Sequence, residues 1–130
     1  MKIVVDTSVI IAVIANEPEK EILIRLTEGA VLLAPSSVYW EVGNAFSAMF
    51  RRRRTGLKKA KEALTIFKKI PISFVDVELE HSLEIAKETN CYCYDAYLLR
   101  CSQKYHAPLI TLDRKLLKIA KDLKIGVVEV

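Results

Sequence analysis

Glycine, proline and histidine are scarce in this chain of 130 residues, which has only four glycines, four prolines and two histidines. So few chain breakers exclude a collagen-like repeat or a low-complexity, linker-rich protein. His81 is predicted on an ordinary helix face and His106 beyond a helix end. The two therefore do not form the pair that a metal-free ribonuclease would use for acid–base catalysis.

Cysteines and long apolar runs are also few. Cys91, Cys93 and Cys101 match neither a disulfide framework nor two paired zinc-binding clusters, so we expect free thiols in a reducing compartment. The apolar stretch Val9–Ala15 is at the lower limit for a signal sequence, and Asp6 interrupts the run before it. Nothing approaches the roughly 20 apolar residues of a membrane span. We therefore expect a cytoplasmic protein that does not contact membranes.

The composition that is present indicates a globular protein. Hydrophobic residues make up 52% of the chain and charged residues 28%, and the length suits a single domain over residues 1–130. The formal net charge is +4, with the positive excess concentrated between Arg51 and Lys69. Such an excess is compatible with a polyanionic partner but does not require one.

Short runs rich in valine and isoleucine alternate with helical patterns along the chain. The runs show little alternation of polar and apolar residues, as expected for strands covered on both faces. This order predicts an α/β protein, a three-layer α/β/α sandwich with a central parallel sheet. The predicted strands are Lys2–Val5, Val31–Ala34, Ser73–Val77, Leu109–Thr111 and Gly126–Val130. The predicted helices are Ser8–Ala15, Pro18–Thr27, Ser37–Arg54, Leu57–Ile70, Glu78–Thr89, Tyr94–Tyr105 and Arg114–Leu123.

The helix predicted from Ser37 carries two apolar stripes, which together cover a wider arc than one contact surface needs. The second stripe either packs on the following helix or receives a partner. Glu41 and Asn44 lie about one turn apart on a polar stripe between them. The stripe predicted to face the sheet is Val38, Val42, Ala45 and Met49, and the second is Tyr39, Gly43, Phe46 and Phe50.

Four acidic residues fall where an α/β sheet places its ligands. Asp6 and Asp113 close apolar runs, whereas Glu41 and Asp95 lie near predicted helix starts. In open α/β sheets, ligands bind outside the carboxyl ends of the strands, where the strand order reverses. One such acid alone is more often a helix cap or a solvated residue. Four carboxylates together form a pocket of charge −4 that requires a cation.

Oxygen ligands of this kind suit Mg²⁺ or Mn²⁺, and such a site can hydrolyse phosphodiesters with an activated water. We expect all four acids to be catalytic metal ligands, with Asp6 and Asp113 as the inner pair because strand ends fix them. The expected products carry 5′-phosphate and 3′-hydroxyl ends. Four short polar residues are predicted to orient ligands or waters around the acids, namely Thr7, Ser8, Asn44 and Thr111.

The acids and their neighbours resemble the motifs of the PIN-domain family, in order and spacing over essentially the whole chain. The opening motif corresponds to Asp6-Thr7-Ser8 and the Glu-x-x-Asn helix to Glu41 with Asn44. Tyr94-Asp95-Ala96 and Leu112-Asp113 are similar to the last two motifs. One departure follows Ala96, where the family often has small residues and this chain has Leu99, Arg100 and Cys101.

In length, the chain is most similar to the VapC toxins of that family. This resemblance implies a central parallel sheet and Mg²⁺- or Mn²⁺-dependent endoribonuclease activity, often on tRNA or rRNA. It also implies a homodimer, and inhibition by a VapB-like antitoxin of a type II toxin–antitoxin pair.

A run of four arginines, Arg51, Arg52, Arg53 and Arg54, is a candidate RNA-binding segment. Such runs are usually solvated, but each phosphate neutralised favours RNA binding by counterion release. Tyr39 and Trp40 could stack an unpaired base, although packing is the more common role for aromatic residues.

Other function classes fit less well. A non-catalytic RNA-binding or scaffold protein on the same fold would bind RNA without metal-dependent turnover. A phosphoacceptor receiver domain needs paired acids after the first strand, but Thr7 and Ser8 follow Asp6. A dehalogenase-type phosphatase needs a second aspartate two residues after Asp6, where this chain has Ser8.

Overall fold

Four short parallel strands form the central sheet of the computed structural model, which describes all 130 residues. The spatial order is β3-β2-β1-β4. The strands are β1 (Lys2–Val5), β2 (Val31–Pro35), β3 (Ile72–Val75) and β4 (Leu109–Ile110). The chain adds β2 and β3 on one side of β1 and then crosses to add β4 on the other. The strand order therefore reverses between β1 and β4, which is where an open α/β sheet forms its ligand crevice.

Seven helices connect and cover the strands. α1, α2, α3 and α4 pack together, with α1 contacting the other three, whereas α6 packs on β1, β2 and β4 and carries α5. The helices are α1 (Thr7–Ile14), α2 (Lys20–Thr27), α3 (Ser37–Arg51), α4 (Leu57–Phe67), α5 (Leu79–Thr89), α6 (Cys93–Tyr105) and α7 (Arg114–Asp122). The predicted α/β class with a central parallel sheet is confirmed. The longest helix, α3, has 15 residues, and no helix combines the length and hydrophobicity needed to cross a bilayer.

The core explains why the strand sequences lack alternation. Ile3, Val4 and Val5 of β1 and both residues of β4 are buried, so these strands need apolar side chains on both faces. Peripheral β3 is only partly buried and retains polar Ser73.

The predicted strand Gly126–Val130 is wrong. Only Val127 bridges Leu109, through hydrogen bonds from Leu109 N to Gly126 O at 2.9 Å and from Val128 N to Leu109 O at 2.9 Å. Because β4 has just two residues, it offers too short an edge for a fifth strand. The hydrophobic residues of this segment correctly indicated that it packs on the core, but they did not indicate how it pairs.

The predicted ends of α3 and β4 also need correction. α3 ends at Arg51 instead of Arg54, because the chain turns out of the helix and Arg53 takes a left-handed conformation with φ 55°. β4 ends at Ile110 instead of Thr111, whose side chain bonds to Asp6.

The buried face of α3 combines residues from both of the predicted apolar stripes. Val38, Val42 and Phe46 are its buried residues, so Phe46 belongs to the core and not to a free second stripe. Tyr39 lies partly exposed against Phe67 of α4, at 5.9 Å between ring centroids. Phe46 is only 5% exposed, so it is not available to receive a partner.

Candidate active site

Asp6 follows β1 at the point where the strand order reverses, and its carboxylate is held by two hydroxyl groups. Ser8 Oγ and Thr111 Oγ1 each donate to Asp6 Oδ2 at 2.7 Å. The backbone is fixed as well, because Asp6 N donates to Ile110 O of β4 at 3.1 Å. Burial raises the pKa of Asp6, the two hydroxyls counteract that shift, and the charge of Asp113 adds to it.

The same two hydroxyls connect Asp6 to the loop between β4 and α7. Ser8 Oγ accepts from Leu112 N at 3.0 Å, and Thr111 Oγ1 accepts from Asp113 N at 3.0 Å. Each hydroxyl therefore donates to the carboxylate and accepts from the backbone, which uses its capacity in both directions. This network fixes Asp6 relative to Asp113 across the crevice.

Glu41 reaches the same crevice from the second turn of α3. The pKa of its carboxyl is raised to about 7; burial is the largest cause, and the charges of Asp6 and Asp95 add to it. The hydroxyls of Ser37 and Thr7 lower this pKa in part, yet neither makes a hydrogen bond of good geometry. Glu41 Oε2 and both hydroxyl oxygens are buried without a hydrogen-bond partner. Buried polar atoms of this kind mark a place where a ligand or ion is expected.

Asp95 lies in the first turn of α6, half-buried. Burial raises its pKa, and the charges of Asp113 and Asp6 raise it further, whereas the charge of Lys115 lowers it. Asp95, Glu41 and Asp6 thus interact electrostatically, although they come from three separate parts of the sequence. Lys115 was not recognised from sequence as a neighbour of the site.

The strand end that was predicted to fix Asp113 lies farther from it than expected. Asp113 lies three residues beyond β4, is exposed, and caps α7 by accepting from Lys115 N at 2.9 Å and Leu116 N at 3.2 Å through Oδ1. Its placement at a rigid strand end is therefore wrong. Asp113 therefore has the ordinary role of an aspartate before a helix, which is to cap it. Its other carboxylate oxygen, Oδ2, makes no hydrogen bond within the protein.

The four acids lie near enough to raise one another's pKa, but they do not form a ligand cage. No group of three or more histidine, cysteine, aspartate or glutamate side chains is arranged to hold a metal ion. The donor set nevertheless suits Mg²⁺ or Mn²⁺, because it consists of hard carboxylate oxygens whose charges disfavour one another's ionisation. Mg²⁺ takes one or two carboxylates directly and retains waters, so a compact cage is not needed.

A cleft of about 840 Å³ opens beside Glu41. This volume lies in the range of small-molecule sites, which is about 300–1,000 Å³. The lining residues are Thr7, Ser37, Trp40, Glu41, Asn44, Ala45 and Tyr94. Thr7 and Asn44 were predicted beside the acids, whereas the place of Ser37 could have been read from its spacing of four residues before Glu41. Trp40 is 75% exposed, so it does not have the packing role expected for it.

The arginine run lies away from the cleft. Arg51 ends α3 and the other three arginines follow in the loop; all four are exposed and none forms an ion pair. The ten residues from Glu41 to Arg51 correspond to about 15 Å along the helix axis. The run can therefore contact only parts of a ligand that extend well beyond the acids.

Comparison with known proteins identifies the family. A family model described as PIN domain matches residues 3–122, which confirms the resemblance read from the motifs. No curated protein gives a significant match to the sequence.

Solved structures share the fold. PAE2754 from Pyrobaculum aerophilum superposes with a TM-score of 0.70 at 22% identity, covering 92% of this chain and 79% of that one. VapBC2 from Rickettsia felis, bound to a DNA fragment from its promoter, gives 0.71 at 16% identity, covering 99% and 98%. VapC20 from Mycobacterium tuberculosis, a toxin that cleaves the sarcin–ricin loop, gives 0.67 at 20% identity, covering 98% of each chain.

Proposed function

Because the chain belongs to the PIN domain family, we propose that it is a divalent-metal-dependent endoribonuclease, with Asp6, Glu41, Asp95 and Asp113 as its catalytic metal ligands. The observation that carries the proposal is the electrostatic coupling of these acids at the point where the strand order reverses. Perturbed carboxyl groups gathered in one crevice are typical of functional sites.

The four acids would hold Mg²⁺ or Mn²⁺. A divalent cation, when bound, polarises a phosphoryl oxygen and activates a water for hydrolysis. Ser8 and Thr111 orient Asp6, and the Asp113 oxygen that does not cap α7 is free to face the ligand. Since Glu41 binds a proton up to about pH 7 in the metal-free protein, protons compete with the cation, and metal affinity should rise with pH.

The test is cleavage of total tRNA and rRNA by the purified protein with Mg²⁺, Mn²⁺ or EDTA. We expect fragments with 5′-phosphate ends only when metal is present, and no detectable cleavage by Asp6→Asn or Asp95→Asn. Ser73→Ala, on the opposite side of the sheet from β4, serves as a folded control. Cyclic-phosphate ends, or full activity in both aspartate variants, would refute the site. RNA binding without any turnover would favour a non-catalytic RNA-binding protein.

We further propose that the protein is the toxin of a type II toxin–antitoxin pair. The support is the full-length similarity in fold to VapC20 and VapBC2. A VapB-like antitoxin would then bind this chain, which would form a homodimer as the family implies. Co-expression with a neighbouring small gene product, followed by light scattering of the purified complex, tests both statements. A monomer whose nuclease activity is unchanged by that gene product would contradict them.

A further inference from the structure

We propose that Trp40 and Tyr94 stack on an unpaired nucleobase of single-stranded RNA at the cleft. The inference rests on the proposed ribonuclease function and adds to it the residues that contact the substrate beside the acids. It assigns Trp40 and Tyr94 to substrate positioning, not to catalysis.

The two aromatic side chains lie on one cleft but on different helices. Trp40 belongs to α3 and Tyr94 to α6, and both line the cavity beside Glu41. Trp40 is 75% exposed and Tyr94 is 60% exposed, so their ring faces are not used for packing the core. Large aromatic rings left in solvent at a cleft are candidates for ligand contact.

Other aromatic rings support both side chains from behind. Tyr39 meets Trp40 edge to face, with ring centroids 4.8 Å apart, and itself packs against Phe74 of β3 at 5.8 Å. Tyr97 meets Tyr94 in the same manner at 6.0 Å. Such pairs stabilise ring orientation beyond simple area burial. Trp40 and Tyr94 are therefore each supported by one neighbouring ring at the cleft.

The chemistry of the cleft suits a base better than a bare phosphate. Without a cation, the nearby carboxylates repel phosphate, whereas the uncharged face of a base can stack on tryptophan or tyrosine. The Asn44 side chain lines the cleft and makes no hydrogen bond in the protein, so its amide can both donate to and accept from a base edge. In a duplex, the faces of the bases are stacked on one another and are not accessible. The cleft should therefore distinguish unpaired from paired nucleotides.

Trp40 is the sole tryptophan of the chain, so its fluorescence reports directly on this site. The Asp6→Asn variant with Mg²⁺, and the wild-type protein with EDTA, are titrated with an RNA octamer of mixed sequence. The other ligands are its duplex and an abasic oligomer with the same number of phosphates. We expect the single strand to quench the fluorescence, and the duplex and the abasic oligomer to leave it nearly unchanged.

Variants test the same contact by anisotropy of labelled RNA. Trp40→Ala and Tyr94→Ala should each weaken binding of the single strand by about tenfold. Tyr92→Ala is the matched control, because Tyr92 is 85% exposed and two residues from Tyr94, yet does not line the cleft. Equal losses in Tyr92→Ala and Tyr94→Ala would overturn the inference.

Three further results distinguish failure of the base contact from failure of the nuclease activity. Metal-dependent cleavage without base-dependent quenching would overturn the base contact and leave the nuclease standing. Base-dependent quenching without cleavage would support the contact while counting against catalysis. Quenching by arginine amide, with none that depends on the base, would instead assign the cleft to a cationic side chain of a protein partner and overturn the inference.

Discussion

Glu41 destabilises the metal-free protein at neutral pH. Its pKa is raised from 4.5 to about 7, so the folded state holds this proton more tightly than the unfolded chain. The stabilising effect of this proton is fully present below about pH 4.5 and is lost as the pH rises to about 7. Glu41→Gln should therefore raise the free energy of unfolding by about 1–2 kcal/mol at pH 8 in EDTA. Urea denaturation at pH 8 and pH 4.5 measures this difference.

Two controls accompany that measurement. Glu84→Gln changes an exposed glutamate of α5 that forms no ion pair, and it should have little effect at either pH. Adding Mg²⁺ should stabilise the wild-type protein more than Glu41→Gln, since a ligand of the native state raises stability by mass action. A Glu41→Gln variant that is no more stable than wild type at pH 8 would show that the surroundings of Glu41 do not raise its pKa.

The proximity of the four acids could be predicted from sequence, but the individual contacts of each residue could not. Acids placed after apolar runs and near helix starts must meet at one sheet edge once the strands are parallel. Whether Asp113 also caps α7 depends on the exact end of β4, which no periodicity specifies. Likewise, Thr111 bonds Asp6 because strand register brings Val5 opposite Ile110, a pairing invisible in either segment alone.

At the scale of elements, one ion pair connects α6 to the segment that leads into α5. Arg100 donates to both carboxylate oxygens of Glu78, at 2.9 Å from Nε and 3.3 Å from Nη2. This bond with Arg100 is the main reason that the pKa of Glu78 is lowered from 4.5 to about 2. A depressed pKa gives stability that is present above about pH 4.5 and lost as the pH falls to about 2.

Replacing Arg100 should flatten this acid dependence. We expect the melting temperature of Arg100→Met to fall less steeply than that of wild type between pH 4.5 and pH 2.5. Lys118→Met is a suitable comparison, because Lys118 is an exposed cation of α7 that forms no ion pair. Parallel acid profiles for wild type and Arg100→Met would contradict the prediction. Arg100, a departure from the family pattern, thus has a local structural role.

Most elements follow from hydrophobic patterning, whereas the error in the number of strands comes from strand pairing. Each predicted helix exists, with ends within a few residues, because its apolar face is long enough to define a period. The C-terminal segment Gly126–Val130 has the composition of a strand, but its pairing depends on the length of its neighbour β4. Strand pairing is a property of two segments, so composition alone cannot predict it.

Across the whole molecule, the charges are arranged with opposite sign at the two ends of α3. Glu41 lies in the acidic crevice, and the run Arg51–Arg54 lies about 15 Å farther along the helix. An RNA must be several nucleotides long to reach both regions. The charge distribution therefore predicts that the arginines contribute to the binding of long RNA substrates only.

Replacing Arg51–Arg54 by serine should weaken binding of a 20-nucleotide RNA and reduce the slope of log affinity against log salt, by about 0.7 for each phosphate that the arginines neutralise in the wild-type complex. Cleavage of a trinucleotide should remain unchanged, because it is too short to reach the run from the acids. Filter binding at several salt concentrations and single-turnover cleavage provide the two measurements. An unchanged salt slope on the long RNA would remove these arginines from the RNA interface.

The hydrogen bond between Thr111 and Asp6 joins residues 105 positions apart, and this has a consequence for biosynthesis. Asp6 leaves the ribosome well before Thr111, so one of the two hydroxyls that orient its carboxylate is made 105 residues later. Because contacts of such long sequence separation form only after the intervening chain is ordered, a nascent chain lacks the assembled crevice. The order of translation thereby delays assembly of the crevice until Thr111 has been made and β4 has paired with β1.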